Sequence, residues 1–321
     1  MNFRLSLLLC CPFLVIACSS FATERETISP PRKLTAEQAS VAAKNYQRYC
    51  ALCHGKDREG HANDHAPSLR SKSLMESGVP HAILRPMSYG REGTAMGGYL
   101  DEVGGPMTLD ETWDLTYWLW EKAGYDRLKF STKPVLGDSV AGGKLYQQHC
   151  TSCHGVNGEG ITAPALGNQS ALAHNTDEFI RHAIENGRQD TPMLPFKDKL
   201  SPAQINNLTA FLRSKASGWT MNKPVLRAMP KPAQYIVNLQ GDDPNFSLQD
   251  GMYVSSKDLS NALNGKKRMV LLDTRVPSVW QNAHIEGAIP FPYYADLDET
   301  VAGIPKDVQT SGVLLVPSSS C

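Results

Sequence analysis

The chain is 321 residues long, with 32 Lys and Arg against 32 Asp and Glu, 20% charged residues and 41% hydrophobic ones. Zero net charge argues against a nucleic-acid binder, which needs a basic footprint, and against a polybasic membrane-surface protein. The composition is that of a folded chain and not a disordered one. At roughly 100–200 residues per domain, the length allows two or three domains.

The first element is residues 1–22. Arg4 precedes a run over 5–17 that is almost wholly apolar. That run falls short of the ~20 apolar residues needed to cross a bilayer and fits the apolar core of a secretory signal. Two cleavage readings stand. Val15-Ile16-Ala17-Cys18 has the form of a lipobox, which would leave Cys18 as a lipid-anchored first residue, whereas Ser20-Phe21-Ala22 is a small-x-small site that would release a soluble chain. Either way the expectation is export to the periplasm, free or lipid-anchored through Cys18.

A polar tether with Pro30-Pro31 leads into two units, 34–126 and 135–218, that repeat each other. Tyr46-Gln47 before Cys50 matches Tyr146-Gln147 before Cys150, and Cys50-Ala-Leu-Cys53-His54-Gly55 matches Cys150-Thr-Ser-Cys153-His154-Gly155. Gly60 matches Gly160, and Ala66-Pro67 matches Ala163-Pro164. Gly90-Arg91-x-x-Thr94-x-Met96 matches Gly187-Arg188-x-x-Thr191-x-Met193, and Leu115-Thr116 matches Leu208-Thr209. One order of blocks in both copies is an internal duplication. The first copy carries insertions between Gly60 and Ala66 and between Met96 and its last helix.

Each copy is expected to begin and end in a helix. Thr35 with Gln38 three residues on has the form of a capping box. Ser201-Pro202 is an N-cap followed by proline at the first helical position, and Ile205, Leu208, Phe211 and Leu212 then repeat at helical spacing. Neither copy shows a useful run of period-two alternation, so each reads as a small all-α domain.

Cys-x-x-Cys-His sets two thiols and an imidazole on about one helical turn, the pattern of c-type haem attachment. Cys50, Cys53, Cys150 and Cys153 would bind the two vinyl groups of each of two haems, and His54 and His154 would meet the irons. The rival readings are weaker. Zinc wants four ligands where one motif supplies three at most, and a redox dithiol sits in a βαβ setting that is missing here. A sixth ligand must come from elsewhere in each unit. Met193 is the one methionine between His154 and the last helix of the second copy. In the first copy Met75, Met87, Met96 and Met107 compete, and the shared Gly-Arg-x-x-Thr-x-Met block selects Met96, with Met107 the chief rival. Core packing is the ordinary use of any of these methionines. His61, His65, His81, His174 and His182 are expected at the surface.

On these motifs both units resemble class I cytochrome c domains, and the tandem resembles dihaem cytochromes c. The resemblance implies that the carbonyls of Pro67 and Pro164 accept the Nδ1 proton of the proximal histidine. It also implies that the first and last helices of each unit cross at small residues such as Ala43 and Gly143.

Residues 219–244, with Pro224, Pro230, Pro232 and Pro244, read as a linker. From 245 to 321 the chain resembles the first half of a rhodanese-like domain. Val270-Leu271-Leu272 is a buried strand ending in Asp273-x-Arg275, the helix before it holds Asp258-Leu259, and His284-Ile285-x-Gly287 follows. A later strand would run over 313–316. In rhodaneses a cysteine in a loop after such a strand carries a persulfide. Cys321 arrives late for that role, so the segment is expected to be incomplete and Cys321 a poor candidate for catalysis.

The expected fold is therefore mainly α: two tandem all-α cytochrome c domains followed by an incomplete α/β rhodanese-like segment. The expected function is periplasmic electron transfer through two covalently bound haems with His/Met ligation. Its partners would be redox proteins of the periplasm or inner membrane (cytochromes, an oxidase or a dehydrogenase). The alternatives are a sulfur-oxidising enzyme that couples a rhodanese-type sulfur carrier to the haems, and a dihaem peroxidase, which would need an open iron site.

Overall fold

The computed structural model describes residues 32–60, 66–77, 80–91, 94–216, 225–249, 253–292 and 294, and the backbone of 313–316. Residues 1–22, expected to be a signal segment, with Cys18, the first insertion with His61 and His65, and Cys321 lie outside the described residues.

The first helical unit opens with α1 (Ala36–Tyr49), which passes through Cys50 into the one-turn α2 (Ala51–His54). Thr35 and Gln38 cap α1 reciprocally, side chain to backbone. Two shorter helices, α3 (Lys72–Ser77) and α4 (Pro80–Tyr89), precede α5 (Leu109–Ala123), which Thr108 and Glu111 cap in the same way. The face of α5 that carries Leu115, Trp118 and Leu119 is buried against Ala42, Tyr46, Met75 and Met87, and these side chains form the core of the unit. The second insertion, between Met96 and α5, folds into a 3-10 turn at Asp101–Val103. It is closed by hydrogen bonds from Asp101 N to Met107 O and from Met107 N to Tyr99 O.

The second unit repeats this plan with α6 (Ser139–His149), α7 (Thr151–His154), α8 (Gln169–His174), α9 (Asp177–Asn186) and α10 (Pro202–Ser214). Ser201 and Gln204 cap α10 reciprocally, with Pro202 at its start. Tyr146, Ile180, Ile184, Ile205, Leu208 and Leu212 are its core.

In both units the first and last helices touch. The close approach falls at Ala42 and Gly142, one residue before the expected Ala43 and Gly143. Ala42 is 1% exposed. A Cβ on Gly142 would overlap the Asn207 carbonyl of α10, while Gly143 looks only onto the Phe211 ring, 3.2 Å from Cε2.

The third segment holds β1 (Ile236–Val237), α11 (Ser256–Asn264), β2 (Met269–Asp273), α12 (Pro277–Asn282), β3 (Ala288–Pro290) and β4 (Val313–Val316). β2 is the common partner: antiparallel to β1, and parallel to β3 and β4. Since β1 lies inside 219–244, that stretch is not a simple linker. Its Ile236 and Val237 pair with Val270 and Met269, so the folded segment starts before residue 245.

Among the described residues no helix is long and apolar enough to cross a membrane.

Candidate functional site

Each Cys-x-x-Cys-His occupies the joint between two helices, and local hydrogen bonds fix it. Cys50 N–H donates to Tyr46 O and His54 N–H to Cys50 O, at 2.9 and 2.8 Å. The second copy repeats both bonds, from Cys150 to Tyr146 O and from His154 to Cys150 O, at 2.9 Å each. One helical turn thereby carries two thiols and an imidazole. The turn ends at Gly55 (φ 82°) and Gly155 (φ 83°), a backbone region that suits glycine. A buried tyrosine then ties that turn back to the preceding helix: Tyr46 Oη donates to Gly55 O at 2.6 Å and Tyr146 Oη to Gly155 O at 2.9 Å.

His54 and His154 are buried. Nδ1 of His54 lies 2.9 Å from Pro67 O, and Nδ1 of His154 lies 2.8 Å from Pro164 O. A carbonyl only accepts, so Nδ1 carries the proton and the lone pair belongs to Nε2. Burial pushes the His154 pKa down, against the opposing pull of the Pro164 carbonyl, which favours the neutral, ligating form.

The first thiol of each motif is the more enclosed. Burial, with Cys53 adding to it, pushes Cys50 up to about 12, and burial with Cys153 pushes Cys150 up to about 11. A redox-active Cys-x-x-Cys has a lowered thiol pKa, so these pairs are poor candidates for disulfide exchange. Among the described residues no three His, Cys, Asp or Glu side chains gather into a metal-ion site.

Met96 and Met193 sit in two copies of one loop. Arg91 N–H donates to Met96 O at 2.7 Å, and Arg188 N–H to Met193 O at 2.8 Å. Thr94 Oγ1 donates to Arg91 O and accepts from Met96 N–H, at 2.8 and 3.2 Å. Thr191 does the same with Arg188 and Met193, at 2.7 and 3.2 Å. Gly90 and Gly187 open the loops at φ 75° and 63°, and a Cβ on either would collide with the methionine carbonyl oxygen. Both methionine side chains are half-buried. Met75, Met87 and Met107 are instead closed into the core of the first unit, Met107 at 1% exposure.

The two loops come near each other where the helical units meet. Ser73 Oγ, on α3, donates to Gly187 O at 2.6 Å, and Arg188 Nη1 reaches Ser73 O at 3.2 Å. A cleft of about 390 Å³ opens here, lined by Lys72, Ser73, Glu76, Arg188, Thr191 and Met193 among others. Arg188 is pulled down to about 10 by burial and by the neighbouring Arg91, which burial also pulls down. Neither arginine is in an ion pair with a described residue. His182 is at the same junction and is not at the surface as expected: its side chain is 12% exposed, with Nε2 3.4 Å from Glu76 Oε1. His81 stands edge-on to Trp113, and His174 Nδ1 donates to Ser170 O within its own helix.

A c-type haem brings two vinyl carbons, an iron and two carboxylates, and this donor set matches it. Paired thiols sit beside an imidazole whose lone pair is on Nε2, a methionine is held in a fixed loop in each unit, and two enclosed guanidinium groups, Arg91 and Arg188, form no ion pair with a described residue. In the sequence Tyr46/Tyr146 and Arg91/Arg188 mark the repeat, but the tyrosine ties and the enclosure of the arginines are seen only in the structure. In the third segment Arg275 grips the buried Asp273 through Nε and Nη2, one edge of its guanidinium, and Nη2 also donates to Ala283 O.

The family model "Cytochrome C oxidase, cbb3-type, subunit III" matches residues 138–212. The chain is 34% identical over 86 residues to cytochrome c6 of Leptolyngbya boryana, covering 99% of that protein and 26% of this one. It is 26% identical over 172 residues to the cbb3-type cytochrome c oxidase subunit CcoP of Helicobacter pylori (strain 52), which is 52% of this chain and 54% of that subunit. The chain thus spans about half the length of that oxidase subunit. Among solved structures, a Kuenenia stuttgartiensis reducing HAO-like protein complex aligns over 59% of this chain and 100% of its own, at 19% identity and a TM-score of 0.37.

Proposed function

The chain belongs to the cytochrome c family, and from that premise we propose that it holds two covalent haems and relays single electrons between redox proteins of the periplasm. A c-type haem supplies a one-electron iron couple. Cys50 and Cys53 would hold one haem by thioether bonds in the domain at 34–126, and Cys150 and Cys153 the other in the domain at 135–218. His54 and His154 would bind the irons through Nε2, oriented by the carbonyls of Pro67 and Pro164. Met96 and Met193 would fill the sixth positions, and His/Met ligation raises a haem's potential. With both axial positions filled, the irons would exchange electrons rather than bind small substrates. This separates a carrier from a peroxidase.

The observation that carries this reading is the repetition of one geometry. The histidine–proline contact recurs at 2.9 and 2.8 Å, and the arginine–methionine loop closure at 2.7 and 2.8 Å. Export directed by residues 1–22 would bring the chain to the periplasm, with Cys18 as the lipid anchor if the lipobox is used. The partners are then other cytochromes, an oxidase or a dehydrogenase. The family model matched over 138–212 is that of an oxidase subunit, which favours the oxidase.

The test is a haem count with a ligand series. Alkaline pyridine spectra should give two haems per chain, falling to one in Cys150→Ser/Cys153→Ser. The sulfur-to-ferric-iron charge-transfer band should halve in Met96→His and in Met193→His and persist in Met107→Leu. A full band in Met96→His, or its loss in Met107→Leu, would reassign the ligand.

A rhodanese-like origin for the third segment is the second part of the proposal. It is favoured by the parallel pairing of β2 with β3 and β4 and by the Asp273–Arg275 clasp at the end of β2. A persulfide role for Cys321 would require thiosulfate or sulfide to reduce the haems in the full chain. No reduction would leave the chain as an electron carrier.

A further inference from the structure

The two methionine loops share every internal hydrogen bond and differ at the residues just after the methionine. The second copy reads Met193-Leu194-Pro195-Phe196 and the first reads Met96-Gly97-Gly98-Tyr99. Leu194 is 60% exposed, whereas Gly97 is buried. What buries Gly97 is the third segment. A Cβ there would fall inside Val276 Cγ1 and within 2.6 Å of Val279 Cγ2. Ser278 Oγ, on α12, is itself buried and donates to Gly98 O. The contact continues along the first unit. Gln281 lies against Gly104, and Gln281 also exchanges hydrogen bonds with the backbone of Arg227, at 2.7 and 3.0 Å. On the other flank Tyr294 stands edge-on to Tyr49, the residue before Cys50, at 4.9 Å between ring centres.

We propose that the third segment serves as a built-in cap on the methionine face of the first unit, with Ser278 positioning the Met96 loop, while the second unit's loop, which meets α3 through Gly187 and Arg188, leaves Leu194 exposed where the first has its cap. This rests on the two-haem reading and extends it. Duplication alone would make the two sites equal, and the cap makes them unequal. Gly97 and Gly98 let a helix sit where the other copy has the side chain of Leu194 and the ring of Pro195. The capped loop has a wall behind it and less freedom to swing its methionine away. The uncapped loop presents Leu194 outward, with Val156 and Ile161 also exposed in the same unit, at 57% and 56%. The segment thereby has a role that needs no sulfur chemistry.

The test uses the ferric full-length protein with both haems attached and imidazole as the probe, because imidazole binds iron only as the methionine leaves. Two binding phases are expected, and the phase lost in Met193→His belongs to the second unit. The other phase should be the weaker. Gly97→Leu installs the residue the second copy already accommodates at that place, so the unit itself can fold with it, but α12 is displaced. It should tighten imidazole binding at the first haem by about tenfold, because displacing α12 removes the Ser278 hydrogen bond together with the packing of Val276 and Val279, and leave the second within about twofold. Ser278→Ala should move the same phase in the same direction by less. The cap is overturned if neither variant moves the first phase, or if both phases move together. A haem count of one would overturn the two-haem reading and the cap's role with it, and the count tells that failure apart from the others.

Discussion

Replacing Gly142 by alanine sets two physical effects of opposite sign against each other. In an exposed helix interior, glycine to alanine stabilises by about 1 kcal/mol, because the unfolded chain loses conformational freedom. Here the added Cβ overlaps the Asn207 carbonyl oxygen and lies 2.5 Å from its carbon. Those are backbone atoms of α10, so no rotamer change relieves the overlap and the two helices must part. Overpacking costs about 1–3 kcal/mol, and a backbone overlap falls at the upper end, leaving a net loss of about 2 kcal/mol. For a domain of this size 1 kcal/mol moves the midpoint by about 4–8 °C, so the second unit should melt about 8–16 °C lower. Gly143→Ala is the control. Its Cβ meets only the edge of the Phe211 ring, 3.2 Å away, which can turn aside, so its midpoint should hold or rise by up to about 1 kcal/mol equivalent. Scanning calorimetry of the full chain reads both. The repeat alone argues that Gly142→Ala is harmless, since Ala42 holds that place in the first copy. A higher midpoint for Gly142→Ala, or the same shift for both glycines, would refute the argument from helix approach.

Three further outcomes follow from the hydrogen-bonded joints. Tyr146→Phe should lower the stability of the second unit by about 1 kcal/mol in urea titrations, since it removes a buried hydrogen bond; burial pushes Tyr146 up to about 12, so it stays a phenol donor at neutral pH. Arg213→Ala should cost about 2 kcal/mol by the same measurement, because Arg213 holds the buried Asp177 and the carbonyls of Leu172 and Asn175, with part of the pair's worth discounted for the 30% exposure of Arg213. Burial holds His182 below its ordinary pKa, against the pull of Glu76. The unfolded chain therefore takes up a proton below about pH 6.5 that the folded chain refuses. Stability should be full well above that pH and fall as pH drops through it, and that fall should flatten in His182→Gln.

What could be read in the sequence was what depends on neighbours along the chain. The reciprocal caps at Thr35 and Ser201, the buried face of α10 and the strand at Met269–Asp273 each follow from residues a few places apart. The duplication also carried the methionine loops, because two copies of Gly-Arg-x-x-Thr-x-Met constrain each other. What escaped depends on residues far away in sequence. Gly142 and Gly143 look alike until α10 lies against one of them. Ile236 and Val237 sit among prolines and become a strand only because the edge of β2 is there to pair with. His182 is drawn inside by Glu76, more than a hundred residues earlier. Gly97 and Gly98 look like loop flexibility, and only α12 shows that they are a seat.

The pairing of β2 has a consequence for timing. Both helical units are complete in sequence at Ser214, whereas β2 lacks its partner at Val313–Val316 until some forty residues after β2 itself. The chain emerges from its N-terminus. At roughly 5–20 residues per second, the last strand follows the end of α10 by several seconds. The sheet, and with it the helix that sits on Gly97, is thus completed after both cysteine motifs have been made. The first unit therefore passes through an interval in which Gly97 is uncovered, because the residues of α12 that cover it have not yet been made.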